Sequence, residues 1–259
     1  MFGTSGFTWG KRDNKGVQVI FIVTIVSYIA QIVIDRFTAG FYTKTMGLSW
    51  NGILGLKAWQ FVSYQFVHGS IVHLLVNMFM LAVFGREVED TIGTFRFVML
   101  YLLSRVTGGT GWLLISGMDG YQVCIGASGS LFGIAGAFAA MFPNREIYLL
   151  LFFILPLKMT ARMMAVTFGL ISLVITIIGG GDIAHAAHLA GGVAGYAYGS
   201  FLKKRGVLYS RPPRISELFR RWTGLSGEPP LESEVNSVLD KITREGMASL
   251  TSSERVPLS

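Results

Sequence analysis

The sequence predicts an all-α membrane protein, a bundle of six transmembrane helices with an interfacial loop between helices 1 and 2. Of its 259 residues, 51% are hydrophobic and only 14% are charged, a balance typical of membrane proteins and not of soluble domains. Six apolar segments can be marked, which is too many for a signal peptide followed by a globular body. The net charge of +7 does not indicate nucleic-acid binding, because the basic residues flank apolar segments and therefore report membrane topology.

The first span runs from Val17 to Ile34 and follows a short polar segment, residues 1–16. No small-residue cleavage site comes after it, so we interpret it as a retained helix of near-spanning length. Residues 37–70 form a connector rich in aromatic residues, too polar to span and too apolar to be a free loop. We expect this connector to lie partly in the membrane interface, where Trp and Tyr are favoured.

The second helix is predicted from about Ser70 to Phe84, ended by a charged turn over residues 85–90. Residues 147–157 are apolar but short and end at Pro156 and Lys158, so we predict an interfacial segment there. The remaining spans are bounded by polar or glycine-rich residues: 95–117, 127–142, 163–178 and 184–202.

The distribution of Lys and Arg predicts the orientation in the membrane. Alternating the sides leaves three of them, Arg36, Lys44 and Lys57, opposite the N-terminus, and eleven on its side. The eleven are Lys11, Arg12, Lys15, Arg86, Arg96, Arg145, Lys158, Arg162, Lys203, Lys204 and Arg205. By the positive-inside rule both termini are cytoplasmic, so the second, fourth and sixth helices begin at the outer face.

Three regions are predicted: residues 1–16 as a cytoplasmic segment, 17–205 as the six-helix domain and 206–259 as a cytoplasmic tail. The tail has proline-containing linkers, and apolar residues from Val235 to Ile242 follow a helical spacing, which favours a short helical appendage. A partly disordered tail explains its composition equally well. The single cysteine, Cys124, excludes an internal disulfide framework.

Four polar residues inside the predicted spans stand out: Ser128, His73, Asn77 and His188. Burying such groups in a bilayer costs several kcal/mol, so each is a functional hypothesis. The topology places all four at a similar depth near the outer face. Ser128 and His188 then form a nucleophile and a general base, while Asn77, His73 and the backbone N–H of Ser128 can stabilise an oxyanion.

Small residues allow the fourth and sixth helices to approach closely, so that Ser128 and His188 can come into contact. Gly129, Gly133 and Gly136 make one face of the fourth helix smooth, and Gly191 and Gly195 on the sixth have small-xxx-small spacing. These two helices are therefore expected to pack closely. Because neither helix carries an acidic residue below the surface, the sequence predicts a Ser-His dyad and not a triad.

These residues resemble the rhomboid family of intramembrane serine proteases, over roughly residues 40–202. The matching motifs, in chain order, are Trp59, His68 followed by His73-Leu74-Leu75-Val76-Asn77, Gly85-xxx-Glu89-xxx-Gly93, Gly126-Ala127-Ser128-Gly129, and Ala187-His188-xx-Gly191-xxx-Gly195. The resemblance implies a rhomboid bundle of the bacterial type, located in an inner membrane with the site open to the periplasmic side. It also implies cleavage of transmembrane protein substrates in the lipid bilayer without a cofactor.

By this resemblance, Ser128 is the nucleophile and His188 the base, with His73 and Asn77 lining the oxyanion site. Phe132 matches an aromatic residue that packs against the catalytic imidazole, and His68 matches a residue that braces the connector. Water is expected to reach Ser128 beneath the glycine-rich cap of residues 179–182.

Two positions depart from the family pattern. Gln60 follows Trp59 where an arginine is frequent, which questions how the connector is braced. Arg105 lies inside the third span, either paired with Glu87, Glu89 or Asp90 or snorkelling to the surface. Glu89 itself is predicted to be structural, closing the turn between the second and third helices.

Several other interpretations are weighed against the protease. His185 could be mistaken for the base, but only His188 is followed by the glycine spacing of the motif. A histidine metal site is disfavoured because there is no HExxH motif and no acidic ligand at the same depth. A catalytically inactive relative that binds membrane proteins is the main alternative, and a small transporter would need ionisable pairs at mid-depth. The oligomeric state and the physiological substrate are not predicted by the sequence.

Overall fold

The computed structural model describes residues 14–116, 122–151, 155–178, 184–208 and 241. Residues 14–208 belong to one compact unit, and the fold and the site are those of that unit. The predicted tail appendage, the cap of residues 179–182 and most of the N-terminal segment lie outside the described residues, so those predictions and the domain limits stay predictions. The elements in chain order are α1 Lys15–Thr38, α2 Phe41–Met46, α3 Trp50–Leu54, α4 Gln60–Ser63, α5 Ile71–Met80, α6 Arg86–Ile92, α7 Thr94–Ser116, α8 Ser128–Met141, β1 Glu146–Leu151, β2 Leu155–Thr160, α9 Ala161–Ile178 and α10 Ala184–Lys204.

The predicted helical membrane class is confirmed. Among the described residues, four helices are long and apolar enough to cross a membrane: α1, α7, α9 and the continuous helix Ile71–Ile92. The α8 helix has fourteen residues and lies at the centre of the bundle, since twelve of them are buried. The α10 helix has twenty-one residues and packs on α8 and α7. That α8 and α10 also count as spans remains a prediction.

The charged turn predicted at residues 85–90 is wrong. The helix that begins at Ile71 continues through a π-helical turn, Leu81–Gly85, into α6 and ends only at Gly93, whose φ is +80°. Beyond the π turn, the Glu89 carboxylate of α6 lies against the start of α1, where it accepts the Gly16 N–H. Gly93 ends the helix because glycine adopts a positive φ without strain, whereas other residues are strained there.

The apolar segment at residues 147–157 is part of an antiparallel β-hairpin, in which β1 pairs with β2 from Glu146–Thr160 to Leu151–Leu155. A short, continuous apolar run does not distinguish strand from helix by periodicity, which is why the sequence left its conformation open. Its interfacial location stays a prediction. The connector contains α2, α3, α4 and a 3-10 turn, Tyr64–Phe66.

Candidate active site

Ser128 is the first residue of α8, where backbone N–H groups lack partners within the helix. The segment before it, residues 124–126, is fastened to the connector by backbone hydrogen bonds. Leu48 and Cys124 exchange N–H···O bonds of 3.0 and 2.8 Å, and the Gly126 N–H donates to the Tyr64 carbonyl at 2.9 Å. The position of the serine is therefore set both by α8 and by the connector.

His188 lies in the second turn of α10, and its Nε2 is 2.7 Å from the Ser128 Oγ. The Phe132 ring stacks on the His188 ring with 4.3 Å between centroids and 2° between planes. His185 packs edge-on against His188 at 5.7 Å. The serine and histidine side chains are thus in hydrogen-bonding contact, and a flat aromatic face restricts rotation of the imidazole.

Glycines bring the two helices to this distance. A Cβ on Gly195 would lie 1.9 Å from the Gly133 carbonyl oxygen, and one on Gly191 would lie 2.2 Å from the Gly129 oxygen. Both distances are far inside van der Waals contact, so only glycine fits at positions 191 and 195. The close contact of the fourth and sixth predicted helices is present in the structure.

His73 lies in the first turn of α5, after Ser70, whose Oγ accepts the His73 N–H at 3.1 Å. Its ring packs against Gly126, because a Cβ there would meet the ring at 2.7 Å, and Gly126 has φ +104°. Asn77 is buried and uses one amide N–H to bond the His73 carbonyl at 2.7 Å. The second Asn77 N–H remains available, and the His73 ring borders the segment that leads to Ser128.

The backbone of His68 and the side chain of Gln60 both form hydrogen bonds that hold the connector. The His68 backbone N–H and carbonyl pair with the side-chain amide of Gln31 at 2.9 and 3.0 Å. The His68 ring lies edge-on to His73 at 5.1 Å, and burial, followed by the neighbouring His73, lowers the pKa of His68 to about 4, so the ring is neutral at pH 7. Gln60 is fully buried, with its Oε1 accepting the Ser49 N–H and its Nε2 bonding the Lys44 and Thr45 carbonyls. The connector is therefore braced by glutamine where an arginine is frequent.

The hydrogen bonds of Trp59 and Glu89 join parts of the fold other than the serine and histidine. The Trp59 indole is half-exposed and donates to the Thr45 carbonyl at 3.2 Å. Buried Glu89 accepts the N–H groups of Gly16 and Val17 in the first turn of α1, at 2.9 and 2.8 Å, and the Thr94 hydroxyl at 2.6 Å. A carboxylate is favourable at a helix N-terminus, so Glu89 joins α1 as well as the two helices that the sequence associated with it.

Both interpretations of Arg105 are wrong. Arg105 is fully buried in α7, so it does not snorkel. Its Nε donates to the Phe61 carbonyl, and its guanidinium lies 4.5 Å from the centre of the Tyr64 ring. Glu87 is instead bonded to Arg145. Neither alternative considered a backbone carbonyl and an aromatic ring as the partners of a cation inside a span.

Sequence reasoning missed Gln31 and Tyr64. The position of Gln31 well inside the mostly apolar first span was a signal, because buried polar groups in spans need partners. Nothing in the sequence distinguishes Tyr64 from the other aromatic residues of the connector. Among the described residues, no three histidine, cysteine or carboxylate side chains come together as metal ligands would.

A cavity of about 660 Å³ opens beside His188, between α5, α8, α9 and α10. Its walls are almost entirely apolar and include Phe79, Phe132 and Phe168, with His188 on its inner side. An apolar cleft of this size at the flank of a membrane helix bundle suits an apolar segment of a ligand.

Comparison with known proteins gives one family. The family model described as Rhomboid domain matches residues 55–205. RHOMBOID-like protein 5 of Arabidopsis thaliana is 31% identical over 150 residues, which cover 58% of this chain and 45% of that protein. Rhomboid protein 1, mitochondrial, of Saccharomyces cerevisiae is 30% identical over 146 residues, 55% of this chain and 41% of the relative. Rhomboid-like protease 3 of Toxoplasma gondii is 28% identical over 138 residues, 52% of this chain and 50% of the relative. The chain thus spans half or less of the length of these relatives.

Proposed function

Because the chain belongs to the rhomboid family, we propose that this integral membrane protein is a serine endopeptidase that cleaves transmembrane or juxtamembrane segments of other membrane proteins. The observation that carries the proposal is the 2.7 Å contact between the Ser128 Oγ and the His188 Nε2. Many rhomboid proteins are proteases and some are inactive, so the activity has to be argued from this contact.

In the proposed reaction the His188 Nε2 takes the proton from the Ser128 hydroxyl as the oxygen attacks the substrate carbonyl carbon. The C–N bond then breaks as His188 returns the proton to the departing amine, which leaves an acyl-enzyme. Water next attacks the acyl carbon while His188 takes its proton, and His188 gives that proton to the Ser128 oxygen as the ester C–O bond breaks and the carboxylic acid product leaves. The Ser128 N–H at the start of α8, the free N–H of Asn77 and the His73 ring are the proposed donors to the oxyanion.

We propose that the substrate enters from the lipid through the apolar cavity beside His188. The α9 helix carries no charged residue from Met163 to Ile178, and it forms one wall of this cavity. A substrate helix hides its peptide bonds in its own hydrogen bonds, so it must unwind locally, and Gly, Pro and small residues near the cut favour this. The distribution of Lys and Arg supports cytoplasmic termini and a site that faces the opposite side of the membrane. The resemblance to rhomboid proteins of the bacterial type supports a bacterial inner membrane, with the site facing the periplasm.

The deciding experiment is labelling of the detergent-solubilised full chain by a fluorophosphonate probe. Wild-type protein is expected to be labelled, Ser128→Ala to give no signal, and His188→Ala to be slower by about 10²- to 10⁴-fold, the usual contribution of a general base. The matched control is His185→Ala, which removes a histidine one turn away and is expected to label within threefold of wild type. An unlabelled wild type, or equal labelling of Ser128→Ala, would support the inactive membrane-protein-binding relative instead.

A further inference from the structure

Arg105 is a fully buried cation in the middle of α7. Among the described residues, ion pairs join Arg145 to Glu87 and Lys158 to Glu146, and neither pair involves Arg105. Keeping a charge buried without a carboxylate is costly, so its other contacts must be favourable.

Three interactions attach α7 to the connector at this residue. The Arg105 Nε donates to the Phe61 carbonyl, while the guanidinium carbon lies over the Tyr64 ring, 4.5 Å from the ring centre. In return the Tyr64 hydroxyl donates to the Arg105 carbonyl at 2.9 Å. We call these contacts the Arg105–Tyr64 clamp. A planar guanidinium donates within its plane and contacts a ring with its face at the same time, which a lysine ammonium cannot do.

Tyr64 connects this clamp to the site. Its side chain is held by α7, while its backbone carbonyl accepts the Gly126 N–H at 2.9 Å. Gly126 lies two residues before Ser128 and is covered by the His73 ring. A displacement of Tyr64 therefore moves Gly126 relative to both the serine and a proposed oxyanion donor.

We propose that the Arg105–Tyr64 clamp positions residues 124–126 so that the Ser128 N–H and His73 converge on the oxyanion of the reaction. This inference rests on the proposed protease function. Arg105 contacts neither Ser128 nor His188, so it is a positioning residue, one that acts on the chemistry through Tyr64 and Gly126.

The test measures fluorophosphonate labelling of the full chain in detergent, separating the maximal labelling rate from the half-saturating probe concentration. Arg105→Met keeps the side-chain volume and removes the buried charge, so the melting temperature is expected to stay equal or to rise. Its maximal rate is expected to fall by about 10- to 100-fold, the effect of a small misplacement of reacting groups, with the half-saturating concentration within threefold. Tyr64→Phe removes only the hydroxyl bond and is expected to lower the maximal rate by about three- to tenfold.

The matched control is Tyr42→Phe. The Tyr42 hydroxyl bonds the Ser27 Oγ at 2.7 Å and so ties the same connector to α1, and this bond is not part of the Arg105–Tyr64 clamp. Its maximal rate is expected to stay within twofold of wild type.

The proposal would be overturned if Arg105→Met and Tyr64→Phe were both labelled at the wild-type rate. It would also be overturned if Arg105→Met were labelled slowly and melted at a lower temperature while Tyr64→Phe was labelled at the normal rate. If Arg105→Met does not fold, Tyr64→Phe alone decides, since a folded variant at the wild-type rate contradicts the clamp. Absence of labelling in wild type would reject the protease function itself, and the clamp with it.

Discussion

The α10 helix meets α8 through glycines, whereas α9 meets the same two helices through large side chains. Along the first contact, Gly191 and Gly195 leave no room even for a methyl group against the backbone of α8. On α9, a Cβ at Gly169 would have nothing within 4 Å, and only 17% of the most apolar stretch of the helix is buried. One side of the cavity is thus fixed by backbone contact, and the other is formed by side chains that can rearrange.

This difference separates two requirements of the proposed protease. The Ser128–His188 contact has to be reproduced within a fraction of an ångström, and two interlocked backbones leave a single way to pack. Entry of a substrate helix instead requires that one wall of the cavity can move aside. Long apolar side chains that face lipid can move without breaking backbone contacts. Chemistry and entry are therefore assigned to different pairs of helices.

The largest effect is expected for Gly195→Ala. The added methyl carbon would lie 1.9 Å from the Gly133 carbonyl oxygen, so α8 and α10 must separate. We expect the free energy of unfolding to fall by about 3 kcal/mol and fluorophosphonate labelling to be lost, because overpacking at this site cannot relax through a side chain. Thermal unfolding in detergent and the labelling rate measure the two effects.

The control for this variant is Gly169→Ala on α9, which makes the same chemical change where space is open. It is expected to leave the labelling rate unchanged and to raise helix stability by roughly 1 kcal/mol or less. If Gly195→Ala unfolded at the wild-type temperature, the rigidity attributed to the α8–α10 pair would be contradicted.

The next effect concerns the α9 side of the cavity. Phe79→Cys on α5 and Phe168→Cys on α9, joined by a reducible bis-maleimide, should lower cleavage of a transmembrane substrate by at least about tenfold, because the lipid-facing wall can no longer open. Labelling of Ser128 by the small fluorophosphonate should persist. Cys124 does not compete for the reagent, since burial raises the pKa of its thiol to about 12 and keeps it protonated.

Each single-cysteine variant treated with the same reagent, and the tethered protein after reduction, serve as controls that should cleave normally. Normal cleavage by the tethered protein would place substrate entry elsewhere.

The two regions also differ in how well the sequence predicts them. The α8–α10 contact follows from glycines at helical spacing, because small residues mark close helix contacts in membranes. The loose packing of α9 follows from an apolar, uncharged run. Both are local patterns that one helix carries by itself.

The features that the sequence did not predict depend on contacts between distant segments. The partners of Arg105 were mispredicted because they are a backbone carbonyl and an aromatic ring of the connector, which no spacing rule identifies. Residues 85–90 were misread as a turn because their charges are satisfied in the fold, where Glu89 binds the first amides of α1. The sequence shows that Glu89 is charged, but not that a helix N-terminus lies beside it.

The smallest effect is expected at Phe132, the residue that contacts both regions. Its ring stacks on His188 at 4.3 Å and meets the ring of Phe168 on α9 at 6.4 Å, inclined by 60°. Phe132→Leu removes both contacts and keeps an apolar side chain, so we expect the imidazole to lose its restraint and labelling to slow by about two- to tenfold, the range of aromatic stacking energies. Phe168→Leu removes only the second contact and should label within twofold of wild type. If the two variants slowed labelling equally, α9 would restrain His188 as well. The rigid α8–α10 pair would then not account by itself for the position of the imidazole.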